Sequence, residues 1–137
     1  MAILTPEIAD ELIRLQGLDV IIPEIYTSIG RYAFNGKRLT SIVIPSSIVS
    51  IEDNAFAGNK LQAVSIPGSV TWIGYHAFSG NKITSIDIPD SVTWIGPGAF
   101  GGNNLFGATL SSALTSIEDN AFGNNNLASI IIPEGIT

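Results

Sequence analysis

The chain has 137 residues, of which 45% are hydrophobic and only 13% charged, and 12 acidic against 6 basic side chains leave it at −6. That balance lacks the basic footprint that nucleic acids and anionic membranes require, and with no cysteine there are no disulfides or thiolate metal sites. With so little charge, polarity must come from Ser, Thr, Asn and Gly, which suits turns and strand ladders better than solvated helices.

Residues 1–16, MAILTPEIADELIRLQ, stand apart from the rest of the chain. They show no basic stretch leading into an apolar core, so no export signal is read in this segment. No apolar run approaches the roughly 18 residues of a spanning helix, so membrane insertion is not expected. Thr5 is placed to N-cap a helix opened by Pro6, and Ile8, Leu12 and Leu15 recur at i, i+4 and i+7 among Glu7, Asp10, Glu11 and Arg14. The pattern predicts a short amphipathic helix over 1–16 that caps the first rung of the array behind it.

From Gly17 onward the sequence repeats. Ala-Phe returns at 33–34, 55–56, 77–78, 99–100 and 121–122, always 22 residues apart. Ile-Pro returns on the same period at 22–23, 44–45, 66–67, 88–89 and 132–133, with Leu110-Ser111 standing in the fifth row. Full rows therefore begin at 17, 39, 61, 83 and 105, and a partial sixth begins at 127. A fixed period of this size is the mark of a stacked solenoid, so 17–137 reads as one array without a linker.

Within a row, Leu39, Ile42 and Ile44 alternate with Ser41 and Val43, a short strand that Pro45 ends. Ile48 and Ile51 mark a second extended segment, and Ala55-Phe56 a single helical or 3₁₀ turn whose ring plugs the core. Stacking makes columns of equivalent residues. Phe34, Phe56, Phe78, Phe100 and Phe122 should form an aromatic spine. Asn59, Asn81, Asn103 and Asn125 should satisfy turn backbone and tolerate left-handed conformations there, with Lys37 in their place in the first row.

Columns that depart from the pattern are the candidate binding positions. Trp72 and Trp94 stand where other rows carry Ser28, Ser50 and Ser116, and should form an exposed aromatic step with Tyr75 and His76 following in the turn. Such pairs suit sugar faces and protein hot spots, and they equally serve as cross-rung stacks. The outward positions of the first strand are small, and Ser65, Ser85 and the unmatched Asp87 could accept an extended protein segment. The neighbouring column, Thr27, Thr71, Thr93, Thr115 and Thr137, is ordinary for strands, although regular Thr columns can also order water. His76 is the single histidine, no catalytic set assembles around it, and Glu52-Asp53 and Glu118-Asp119 lack the ligand number calcium needs. No enzyme activity, cofactor or metal is expected.

The row pattern L-x-S-I-x-I-P-x-S-V-x-x-I-G-x-x-A-F-x-G-N-x closely resembles the BspA-like leucine-rich repeat family. The resemblance implies a right-handed leucine-rich repeat solenoid, mainly β with short turns, whose first-strand sheet lines the concave face. It also implies a bacterial cell-surface or secreted protein that mediates protein–protein interaction or adhesion, the repeats having no catalytic role. The expected function is a protein-binding or structural module, and the alternative is a carbohydrate-binding adhesin using Trp72 and Trp94. Leu127, Ile130 and Ile132 lie on a last rung with no successor in the sequence, which predicts either further rows or self-association through that edge.

Overall fold

No 22-residue row can satisfy its own backbone, so each must bond to the rows before and after it. The computed structural model describes residues 2–136; Thr137, the last of the Thr column, lies outside the described residues. Along the chain run β1 (Ile3–Leu4), α1 (Pro6–Gln16), β2 (Asp19–Ile21), β3 (Ser28–Ile29), β4 (Ser41–Val43), β5 (Ser50–Ile51), β6 (Trp72–Ile73), β7 (Ser85–Asp87), β8 (Trp94–Ile95), β9 (Gly107–Thr109) and β10 (Ser129–Ile131).

These strands form a solenoid of parallel ladders. The second strands of successive rows make one five-stranded sheet, β1-β3-β5-β6-β8. Their register pairs Ser28 with Ser50, Ser50 with Trp72 and Trp72 with Trp94. Hydroxyls in the adjoining Thr column reinforce it, Thr71 donating to the Val49 carbonyl at 3.3 Å and Thr93 to that of Thr71 at 3.1 Å. The first strands form β2-β4 and, separately, β7-β9-β10. Between these two sheets, among the described residues, no backbone hydrogen bond joins residues 63–66 to either neighbouring row. Side-chain size is not the reason, since Ala108, smaller than Val64 in the same column, keeps its ladder on both sides.

Period-2 alternation decides what is buried. Leu39, Ile42 and Ile44 face the core while Ser41 and Val43 face solvent, a pattern repeated in Leu61 and Ile66, in Ile83, Ile86 and Ile88, and in Leu105, Ala108 and Leu110. The corner after the second strand is a run of tight i→i+3 turns, such as Ala55 N–H to the Glu52 carbonyl at 3.2 Å, rather than a helix. It carries a ladder of its own. The amides of Phe34, Phe56, Phe78 and Phe100 each donate to the Ala carbonyl of the next row at 2.8 Å. Their rings stack behind it with centroids 5.1 to 5.6 Å apart, and the first four are fully buried while Phe122 is half-buried.

The asparagine column fastens this corner to its neighbour. Asn81 donates from Nδ2 to the carbonyls of Phe56 at 2.9 Å and Phe78 at 3.0 Å, and accepts the Leu61 amide at 3.1 Å. Asn59, Asn103 and Asn125 repeat the arrangement. None of the four is left-handed, contrary to the expectation from their residue type. Positive φ values fall instead on Gly58, Gly80, Gly102 and Asn124 just before each, on Gly36 before Lys37, and on a second column of Tyr32, Asn54, His76, Gly98 and Asn120, besides Gly17, Arg38 and Gly135 elsewhere. The asparagines occupy a buried site whose backbone is ordinary, because three hydrogen-bond partners select them.

The N-terminal segment does more than the helical pattern predicts. Thr5 caps α1, its hydroxyl accepting the Ile8 amide at 3.3 Å, and Pro6 opens the helix. Ahead of it, β1 joins the second-strand sheet as if it belonged to a preceding row. The buried stripe of α1 is Ala9 with Ile8, Leu12 and Ile13 beside it, whereas Leu15 is 65% exposed. Next to it, the Gln16 side-chain amide pairs with both backbone groups of Ile21 at 2.8 and 3.0 Å, closing the free edge of β2. Lys37 bonds Asp10 at 2.8 Å and ties the helix to the first row.

Two exposed carboxylates bridge rows. Asp19 accepts from the Thr40 and Ser41 hydroxyls at 2.7 and 2.8 Å, and Asp90 from the Ser112 amide at 2.8 Å; these bonds hold both groups below the usual carboxylate range. A lowered folded pKa adds stability above the unfolded value that is lost as pH falls through the folded one, so both ties are features of neutral solution.

Phe78→Ala, at mid-array, should cost about 3–5 kcal/mol in urea titration, and Phe122→Ala clearly less because its ring is already half in water. Asn81→Ala strands bonds to Phe56, Phe78 and Leu61 and should cost about 1–3 kcal/mol; a neutral result would show that water replaces the amide.

Candidate functional site

Two separate surfaces gather the candidate residues. On the outer face of the second-strand sheet, Trp72 and Trp94 stack with ring centroids 4.2 Å apart and planes at 25°. Tyr75 leans on Trp94 at 5.6 Å and 49°. Trp72 is 40% exposed and Tyr75 48%, so this aromatic ledge is open to solvent.

The room for the ledge comes from the residue two places on, which shares the same strand face. Glu52 follows Ser50 and Glu118 follows Ser116, each accepting that hydroxyl at 3.3 and 3.0 Å. After the tryptophans the same column is Gly74 and Gly96. A Cβ on Gly96 would lie 2.8 Å from Trp94 Cη2 and 2.7 Å from the Tyr75 amide nitrogen, and one on Gly74 would strike Asp53. The paired motif Thr-Trp-Ile-Gly, against Ser-Ile-Glu in the second and fifth rows, was the available sequence signal for this exchange, although the first row, Ser28-Ile29-Gly30, carries the glycine without a tryptophan.

His76 lies beyond Tyr75, on the left-handed column with φ +53. Its ring occupies the space that a Cβ on Gly98 would need. Together with Arg31, Tyr32, Asp53, Asn54 and Tyr75 it lines an open recess of about 320 Å³. Sequence reasoning did not single out Arg31, Tyr32 and Asn54, and weighed Asp53 only as a calcium ligand; the 22-residue period, which puts 31, 53 and 75 in one column and 32, 54 and 76 in the next, was the signal that could have joined them to Tyr75 and His76. Arg31 sits 3.5 Å from the Asp53 carboxylate, and the other carboxylate oxygen accepts the Tyr75 amide at 3.0 Å.

The second surface is on the first-strand face. Ser65, Ser85 and Asp87 come together in an open groove of about 410 Å³, walled by Ala63, Val64, Ile66, Ile88 and Pro89. Its floor is the interruption between the two first-strand sheets. At the far end of the array Leu127 and Ile130 are half-buried, while Ile131 and Ile132 are 64% and 54% exposed. Among the described residues, no three His, Cys, Asp or Glu side chains cluster to hold a metal, and no helix is long and apolar enough to cross a membrane.

Comparison with known proteins agrees with this architecture. A leucine-rich repeat protein from Bacteroides ovatus ATCC 8483 superposes with a TM-score of 0.78 at 30% identity, over 86% of this chain and 32% of its own. Another from Eubacterium ventriosum ATCC 27560 gives 0.60 at 22% identity, over 88% and 42%, a likeness of fold alone. The chain thus spans less than half the length of either structure. No curated protein gives a match. The model of the BspA type leucine rich repeat region matches six copies over residues 27–137, and the chain belongs to that family.

Proposed function

We propose that this chain is a non-enzymatic protein-binding module, part of a larger bacterial surface or secreted protein, that serves adhesion by holding an extended segment of a partner on its first-strand face. Leucine-rich repeats generally mediate protein interactions. The observation that carries the reading here is the groove at Ser65, Ser85 and Asp87, set beside a stretch of backbone with no ladder partner. Small side chains let a partner's main chain approach closely, and Asp87 offers a carboxylate to a basic residue. The 32% coverage of the Bacteroides ovatus structure supports a place within a longer protein.

A second reading, a carbohydrate-binding adhesin, is favoured by the stacked and exposed Trp72–Trp94 pair. The electron-rich face of an indole attracts the C–H face of a pyranose ring.

Surface plasmon resonance against immobilised extracellular-matrix proteins tests the first reading. Saturable binding is expected, weakened about tenfold or more by Asp87→Arg or Ser85→Arg. Binding that ignores both substitutions would move the partner to another face, and none at micromolar concentration would remove the reading. On a glycan array, signal that survives Trp72→Ala with Trp94→Ala would exclude the ledge as a sugar platform.

A further inference from the structure

The aromatic ledge does not end at the tryptophans. Tyr75 touches Trp94 on one side and lines the recess of Arg31, Tyr32, Asp53, Asn54 and His76 on the other. We infer that ledge and recess are one site for a neutral oligosaccharide of at least two sugar units, one ring stacked on the ledge and the next held in the recess. The inference rests on the carbohydrate reading and adds the length and charge of the ligand and the residues that set them.

The polar chemistry of the recess matches sugar hydroxyls. Arg31 and Asp53 lie 3.5 Å apart and cancel in charge, so a charged ligand would have to break the pair to gain one partner. A hydroxyl both donates and accepts, and a vicinal pair can bond Asp53 and Arg31 together without separating them. Asn54 adds a further amide, with both a donor and an acceptor. Asp53 is already oriented, because one oxygen holds the Tyr75 amide at 3.0 Å.

The recess is also held in place before any ligand arrives. Tyr32, Asn54 and His76 have φ of +58, +57 and +53, a region that Asn tolerates and a bulky Tyr rarely adopts. Farther along the same column stand Gly98 and Asn120, which fit that geometry without strain. Strain of this kind persists where the surrounding structure over-determines it, and it concentrates at binding sites. The backbone beneath is laddered, with the Tyr32 amide on the Asp53 carbonyl at 3.1 Å and the Asn54 amide on the Tyr75 carbonyl at 2.9 Å. The backbone beneath the recess is therefore fixed before a ligand arrives, and Tyr32, 54% exposed, is open to it.

Trp72 and Trp94 are the chain's two tryptophans, so fluorescence excited selectively in the indoles, to the red of tyrosine absorption, reports on the ledge. The test titrates glucose, galactose, mannose and N-acetylglucosamine and their di- to tetrasaccharides, with sialylated and sulfated glycans as charged comparators. At least one neutral series should bind, its tetrasaccharide about tenfold tighter than its monosaccharide. Tyr32→Gly suits the positive φ and keeps the fold, which circular dichroism would verify. It should remove about tenfold of the tetrasaccharide's affinity and leave the monosaccharide unchanged. Equal affinity at all lengths, or a silent Tyr32→Gly, would overturn the joined site while sparing the ledge. A response to charged glycans alone would overturn the inference and keep the carbohydrate reading. No response to any glycan would remove both.

Discussion

A column of four asparagine amides, Asn59, Asn81 and Asn103 buried and Asn125 partly so, holds the array together. The asparagine after each phenylalanine corner bonds the carbonyls of two consecutive Phe residues and an amide of the preceding turn, so every corner is fixed to the one before it. Burying an amide is unfavourable unless its hydrogen bonds are made, and here they are made only when two rows are stacked in register. The site thus rewards correct stacking and penalises a slipped row. The phenylalanine rings, stacked 5.1 to 5.6 Å apart behind these bonds, turn that registration into continuous core.

That core was legible in the sequence because a 22-residue period leaves no freedom in assigning columns. The buried set of Leu39, Ile42, Ile44, Ile48, Ile51 and Phe56 follows from alternation and spacing alone, as does the adjacency of Trp72 and Trp94. What stayed hidden depends on partners brought by other rows. The two-residue strand β1 is too short to show a period, and Gln16 gives no sign that it will close the edge of β2. Left-handed backbone at Tyr32 and His76 is hard to read from those residues themselves; Asn54, Gly98 and Asn120 in their column hint at the shape of the turn.

Candidate site residues were legible to a similar degree. Spacing placed Ser65 near Ser85, Tyr75 near the tryptophans and His76 in the turn that follows, without saying what His76 would face. The structure sets His76 around the corner, against Gly98 and beside Asp53 and Arg31. The recess is made of two adjacent columns, Arg31, Asp53 and Tyr75 in one and Tyr32, Asn54 and His76 in the next, so the period places its members side by side, while the hollow between them is a matter of side-chain packing that spacing does not give.

The interruption at residues 63–66 has a mechanical consequence. Of the three ladders that bind row to row, the Phe corner runs unbroken and the second-strand sheet is continuous across these rows, while the first-strand ladder is cut there. A stack fastened along two edges and released along a third bends about the fastened ones, as a book opens from its spine. The soft direction of this solenoid therefore lies at the groove of Ser65, Ser85 and Asp87, whose nearest inter-row tie is the bond from the Thr84 amide to the Gln62 carbonyl at 3.3 Å. Under the proposed function, a bound segment would select the local curvature there.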